Sequence, residues 1–474
     1  MRSKLTCILL LGVLLTSCGT TTEVTVVDDS SDVLPSESSA SQKEENITAD
    51  KFTILRIGES SSIQTMDPLF ASNTSELRVN SLIYDGLTQY SEDGSTQGAI
   101  AKSWTVTRDS LRYNFTLRDD VFFHNDSRFT SGIGRQVKPQ DIVMNFERMA
   151  SVLVPDNAAN MFTSISGFDA FHNEQTFIKI PSNRSINSIE GIRIANDSTI
   201  VFQLATKDPH FLEKLAHPYS SIYPKESIPG NNTPIYEPIG TGRYYFAQRR
   251  RGDLIIASND DYFQVQNGPN RIDIIHGKKE SDIYQDFAKG TLDALVEIGP
   301  GTITQVIDST GNIDPIFSTV FKIENPSVIK PVTFYYNPAS NNPSLRSYLS
   351  KQAPSFLYLK KPLGSISILA DNNTQDTLRK ETAYIAYTKN SDEVFLIDAI
   401  AENLSAAGVN VVMNSSYAVT EEISFATMNF TNAQPTLLWN KPIFILSKLN
   451  VSGITISHKP WNISFNNAKV SKGN

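Results

Sequence analysis

Residues 99–149 read AIAKSWTVTRDSLRYNFTLRDDVFFHNDSRFTSGIGRQVKPQDIVMNFERM. The run opens with two short alternating strands. In the second, Leu111, Tyr113, Phe115 and Leu117 share one face, because successive strand residues point to opposite sides. The period then changes. Between Val137 and Ala150 the apolar residues Ile142, Val143, Phe146 and Met149 recur at helical spacing. Pro139 stands near the first turn of that helix, where a missing N–H costs little.

Similar alternation continues on both sides. Residues 52–70, FTILRIGESSSIQTMDPLF, begin as a strand and end in a turn at Asp67-Pro68. The next stretch reads as a helix carrying Leu77, Leu82 and Ile83, then Gly86, then a hairpin turned at Asp93-Gly94. Downstream, STIVFQLA (198–205), LIIASNDDYF (254–263) and VTFYYNP (332–338) read as strands. Residues 272–300 read strand, helix, short strand. Residues 391–413 read as a helix bearing Ile397, Ile400, Ala401 and Leu404, ended by Gly408 and followed by a strand over Val409–Met413. This mixture predicts an α/β or α+β protein with more than one sheet.

The amino terminus has a different character. Arg2 and Lys4 precede a short apolar core, Leu5 to Leu15, which has the shape of a secretory signal and is too short to span a bilayer. Leu15-Thr16-Ser17-Cys18 resembles a bacterial lipobox, in which the signal is cut before the cysteine and its thiol acylated; the alternative is an ordinary signal with a chance cysteine. With Cys7 lost in the signal, the mature chain keeps one cysteine and no disulfide. Residues 19–50 are Ser, Thr, Asp and Glu with few aromatics. They read as a tether too polar to offset its ordering entropy. The expected division is therefore a signal over 1–17, a tether over 18–50 and a folded body over 51–474.

Bulk composition is that of a globular chain, with 40% apolar residues and a formal charge of -8, which argues against a general nucleic-acid binder. Catalytic signals are thin. Ser327-Val328-Ile329-Lys330 has a nucleophile's Ser-x-x-Lys spacing, but its Lys precedes a proline and companion motifs are absent. The histidines His124, His172, His210, His217, His276 and His458 show no metal-ligand pairing; His210 and His217 fall on adjacent turns, where a surface or core role competes. No glycine-rich phosphate loop follows a strand. No enzyme, cofactor or resident metal is expected.

Taken in order, several segments resemble the bacterial extracellular solute-binding proteins of family 5, the receptors of oligopeptide, dipeptide and nickel ABC importers. MDPLFASNTSELRVNSLIYDGLTQYSEDG resembles the family's Asp-Pro opening and following helix. Residues 99–149 resemble its most recognisable block, although Ser127 stands where a turn glycine is usual and a few residues are inserted before Val137. EPIGTGRYYFAQRRRGDLIIASNDDYF, FAKGTLDALVEI, FYYNPASNNPSLRSYLSKQAP and AIAENLSAAGVNVVM resemble later segments.

The resemblance implies a two-lobed periplasmic-binding-protein-like fold, type II, cluster C, with an extra small domain in lobe 1. It places lobe 1 at about 51–265 plus 440–474 and lobe 2 at about 266–439. It implies a monomeric, membrane-anchored receptor that closes on a peptide-like or other small solute and delivers it to ABC permease and ATPase subunits. Ser62, Ile63 and Gln64 correspond to a cleft-lining segment; solvent-facing hydroxyls on a strand edge are the competing reading. Tyr335, Tyr336 and Asn337 lie on the strand entering lobe 2, and one of the two tyrosines must face away. Peptide-binding members hold the ligand's amino group with an Asp, a charge-assisted bond. No Asp lies between Ile423 and Trp439, where Asn429 and Asn432 are the nearest polar candidates. Arg249, Arg250 and Arg251 are either a carboxylate trap or a solvated hairpin tip. A nickel ligand stays open, since some relatives bind metal through a chelator. The shortened second lobe and the missing Asp also allow a lipoprotein that keeps the fold as a sensor, chaperone or surface-interaction protein.

Overall fold

In a computed structural model, the structure describes residues 53–306 apart from 60, 92–93, 152–153, 179 and 231–232, then 313–324, 328–336, 382–386, 405, 410–414, 423–425 and 435–471. Along the chain these form β1 (Ile54–Glu59), α1 (Thr74–Ile83), the hairpin β2 (Thr88–Tyr90) and β3 (Thr96–Gly98), β4 (Ala101–Val106), β5 (Arg112–Leu117), α2 (Pro139–Met149), α3 (Asp156–Ala159), α4 (Phe168–Phe177), β6 (Ile192–Asn196), β7 (Thr199–Gln203) and α5 (Phe211–Lys214). There follow β8 (Tyr244–Arg250), β9 (Asp253–Ser258), β10 (Arg271–Ile275), α6 (Glu280–Ala288), β11 (Ala294–Val296), α7 (Pro300–Val306), β12 (Phe321–Glu324) and β13 (Ile329–Tyr336). The remainder is β14 (Thr382–Ala386), β15 (Asn410–Asn414), β16 (Ile423–Phe425), β17 (Pro435–Pro442), β18 (Ile445–Lys448), β19 (Val451–Ser452), β20 (Thr455–Ile456), β21 (Ile463–Ser464) and β22 (Lys469–Val470).

The opening block folds as its pattern dictates. β4 and β5 pair antiparallel, and β7 and β6 extend them into a four-stranded sheet. Tyr113, Phe115 and Leu117 are buried on one face, with Leu111 packed at its edge. α2 lays Ile142, Phe146 and Met149 against that face. Phe146 meets Phe202 and Phe162 edge-on, each at 5.1 Å between ring centroids. Such edge-to-face aromatic pairs add about 0.5–1.5 kcal/mol beyond area burial. Pro139 occupies the first helical position, and the Asp141 carboxylate accepts the Lys138 N–H at 2.9 Å. This sheet and its helices have their own core, separate from that of β1, and so constitute the extra small domain.

The main sheet has seven strands in the order β12-β18-β11-β1-β10-β9-β8. β1 lies parallel to β10 and to β11; the other pairings are antiparallel. Its core gathers Leu55, Ile57, Ile256, Ile272, Ile274 and Ile445 with Val79 and Ile83 of α1. The Gly-Thr-Gly stretch closes on the end of α1: a Cβ on Gly240 would stand 1.9 Å from the Ile83 carbonyl oxygen. Only glycine lets the backbone approach this closely.

A five-stranded sheet, β15-β14-β16-β13-β17, is the second structural layer. Among the described residues, an antiparallel ribbon joins the sheets. β12 pairs with β18 up to Glu324↔Ile445, and β13 pairs with β17 from Ile329↔Pro442. Between them the Ile443 N–H donates to the Val328 carbonyl at 3.2 Å. The expected lobe boundary near 265 falls between β9 and its hydrogen-bonded partner β10. β10, β11 and β12 belong to the first sheet, and the chain crosses between Glu324 and Ile329. The return crossing at 443–444 lies close to the expected 440. The register of β1 with β10 joins residues more than two hundred positions apart, so local periodicity carries no trace of it.

Candidate functional site

Ligands of open α/β sheets gather at the carboxyl ends of parallel strands. Here β1, β10 and β11 end along one edge, followed by Ser61–Gln64, His276–Gly277 and Glu297–Ile298. The Ile63 N–H donates to His276 Nδ1 at 3.1 Å. No role for His276 was legible in the sequence. Burial, with Arg249 adding to it, pushes its pKa down to about 4, so the ring is neutral at pH 7.

Ser62 is half-buried and the Gln64 side chain is exposed; the Gln64 amide donates to Ser62 Oγ. The two therefore present polar groups side by side on this edge. Ile63 does not: its side chain is 1% exposed within the first-sheet core. Of the expected contact position Ile63, the side chain is thus turned away from the edge. The alternation of the extended segment turns it inward between two outward neighbours.

A buried carboxylate shapes this edge. Glu76 Oε1 accepts the N–H groups of Gln64 at 2.8 Å and Thr65 at 3.3 Å, and Oε2 accepts those of Ser72 N at 2.7 Å and Oγ at 3.0 Å. Asn73 caps α1 by accepting the Glu76 N–H, and its own amide donates to the Ser62 carbonyl at 3.0 Å. Beneath lies a second polar group. Arg78 donates to Glu59 at 2.8 Å, to Glu297 and to the Pro460 carbonyl at 2.9 Å. Ser75 Oγ donates to Glu59 at 2.7 Å. Burial raises the Glu59 pKa against the opposing pull of Arg78. Burial alone would lower Arg78, but its two carboxylates overcome that and hold it above its ordinary value.

Further along, the fully buried Asp67 carboxylate takes both arms of Arg148 on α2, one of them at 3.0 Å, and also the N–H of Ile235 at 3.0 Å. A bidentate fork of this kind fixes geometry as well as charge. It locks the small domain's helix to the segment that follows Gln64.

The remaining expected residues separate. Arg249, Arg250 and Arg251 are exposed at the β8–β9 hairpin, where Arg251 and Gly252 both have positive φ, +53° and +95°; this is the solvated tip. Tyr335 and Tyr336 pair with Ser424 and Ile423 through β13 and β16, and their side chains lie outside the described residues. Cys18, Asn337, Asn429 and Asn432 also lie outside them. His210 is exposed beside Glu213 at 3.2 Å, whereas His217 packs edge-on against Trp461 at 5.2 Å, so the two do not form a pair.

The model of the bacterial extracellular solute-binding proteins, family 5, matches residues 95–353. The chain belongs to this family. Heme-binding protein A of Haemophilus influenzae is 25% identical over 239 residues, 48% of this chain and 40% of that protein. Di/tripeptide-binding protein 2 of Pseudomonas aeruginosa is 30% identical over 190 residues, 38% of this chain and 33% of that protein. The chain thus spans well under half the length of the curated relatives it matches. In three dimensions it is similar to the Escherichia coli murein tripeptide binding protein MppA, with a TM-score of 0.67 at 13% identity, covering 90% of this chain and 99% of that one. The Helicobacter pylori periplasmic binding protein DppA, in complex with peptide STSA, gives 0.66 at 14% identity, covering 88% and 98%. These neighbours establish the two-lobed fold.

Proposed function

We propose that this protein is the extracytoplasmic receptor of an ABC importer, lipid-anchored through Cys18, which binds a peptide-like solute between its lobes. The observation that carries the reading is the antiparallel ribbon, β12–β13 with β17–β18, that runs from one sheet into the other among the described residues. A two-strand connection absorbs a hinge rotation without disturbing either core. The carboxyl edge of β1 contributes Ser62 and Gln64, a hydroxyl and an amide able to pair with an extended peptide backbone. Tyr335, Tyr336, Asn337, Asn429 and Asn432 are the proposed contacts from the second lobe, with an amide in place of a carboxylate at the ligand's amino group.

Calorimetric titration of the full-length protein with pools of di- to pentapeptides tests this. Saturable binding that weakens about tenfold in Gln64→Ala, the loss of one net hydrogen bond, is the expected result. Absence of binding to every pool overturns the peptide assignment and favours the non-transport role.

A further inference from the structure

A polar cavity of about 470 Å³ opens in the first lobe, away from the edge just described. Its size falls in the range of about 300–1,000 Å³ typical of small-molecule sites. α1 separates the two places. Its cap, Asn73, bonds Ser62 at the β1 edge, whereas Ser81 and Leu82 of its last turn line the cavity. Ten helical residues span about 15 Å.

The wall has no net charge. Asp85 accepts the Thr241 hydroxyl at 2.9 Å and the Tyr262 hydroxyl at 3.0 Å, and Arg243 lies over the Tyr262 ring at 4.8 Å with Nη2 donating to Gln264. One acid and one base cancel. An anion finds no cation in excess, since nearby Lys459 pairs with Glu213 at 3.7 Å. No group of three or more His, Cys, Asp or Glu able to hold a metal occurs among the described residues.

What the wall does offer is unspent neutral hydrogen-bonding capacity of both kinds. Asn462 uses its Nδ2 on Ser457, leaving Oδ1; Gln89 uses Nε2 on the Gly98 carbonyl, leaving Oε1. Asn466 uses Oδ1 on the Asn267 N–H, leaving Nδ2. His217 accepts the Tyr219 N–H through Nδ1, so its Nε2 carries a proton. Tyr90 and Trp461, 5.9 Å apart, supply aromatic surface. Donors and acceptors interspersed on an uncharged wall match a ligand whose groups each donate and accept, which is the property of a hydroxyl.

We propose that this cavity is a second binding site, for a neutral hydroxyl-rich molecule of mono- or disaccharide size. Among the described side chains, Trp461 is the tryptophan that lines it, so its emission reports occupancy. The experiment titrates the full-length protein with glucose, N-acetylglucosamine and maltose, following emission and heat. The expected result is saturable binding of at least one sugar at about 1 mM or tighter. The emission change should vanish in Trp461→Phe. Affinity should fall at least about tenfold in Asn462→Ala and in Gln89→Ala with unchanged unfolding midpoints, and stay unchanged in Gln64→Ala. No saturable binding by any of the three sugars overturns the proposal, as does binding that only Gln64→Ala weakens. Binding of acetate or free glycine in place of the sugars overturns the neutral-ligand assignment.

Discussion

Replacing Glu76 by glutamine probes what shapes the β1 edge. The side chains are nearly isosteric, so packing is preserved and only the acceptor count changes. As a carboxylate, Glu76 satisfies the backbone N–H groups of Gln64, Thr65 and Ser72 and the Ser72 hydroxyl. An amide keeps one oxygen for the Gln64 and Thr65 side. Its NH2 then faces the Ser72 N–H, donor against donor, while the Ser72 hydroxyl can rotate to accept. The loss is one charge-assisted bond, about 1.5–3 kcal/mol, with a stranded N–H costing about 1–3 kcal/mol. Because the two terms overlap, the net expectation is about 3 kcal/mol. Urea unfolding should show a lower midpoint at unchanged slope, and Gln64, freed from its anchor, should cost solute affinity as well. An unchanged midpoint together with unchanged affinity refutes the claim that this carboxylate holds the site segment.

Other perturbations follow the same logic. Arg148→Lys keeps the charge but loses the fork on Asp67, and should destabilise by about 1–3 kcal/mol in the same urea assay. Gln64→Ala removes an exposed side chain, so stability should stay within about 0.5 kcal/mol while peptide affinity falls in calorimetry. Gly240→Ala drives a Cβ into the Ile83 carbonyl and should lower yield and unfolding midpoint sharply. His124 is held neutral by burial, with its pKa pushed down to about 4, between the Gly240 N–H and the Gly242 carbonyl. A depressed folded pKa means that the unfolded chain takes up the proton first. The His124 contribution is therefore complete above about 6.5 and lost as pH falls toward 4. Unfolding midpoints measured across that window should decline less steeply in His124→Gln than in the parent.

The parts legible in the sequence are those whose partners lie close along the chain. Leu111 to Met149 announce β5 and α2 because alternation and helical spacing are local signals, and both elements stand where those signals put them. α1 is the contrasting case. Leu77, Leu82 and Ile83 are the apolar residues that mark it, yet Leu77 is half-buried while Glu76, Arg78 and Asn80 are buried. A helix wrapped on most sides can bury charge only where partners meet it, and those partners are Glu59 and Glu297, the latter 219 residues away. Nothing in the spacing around Arg78 records that distance. The sheet to which β10 belongs is hidden for a related reason. β10 reads as a generic strand, and only its parallel pairing with β1 assigns it to the first sheet. The cavity beside Asp85 was equally silent, since it is assembled from α1, the β2–β3 hairpin and the β20–β21 hairpin.

Native mass spectrometry of the full-length protein, purified without unfolding, tests the receptor assignment most directly. A closed two-lobed receptor releases its solute slowly, because dissociation waits on opening. The account predicts a ladder of adducts whose masses match short peptides and whose occupancy drops in Gln64→Ala. Bare protein, with no mass shift on adding peptide pools, would contradict it.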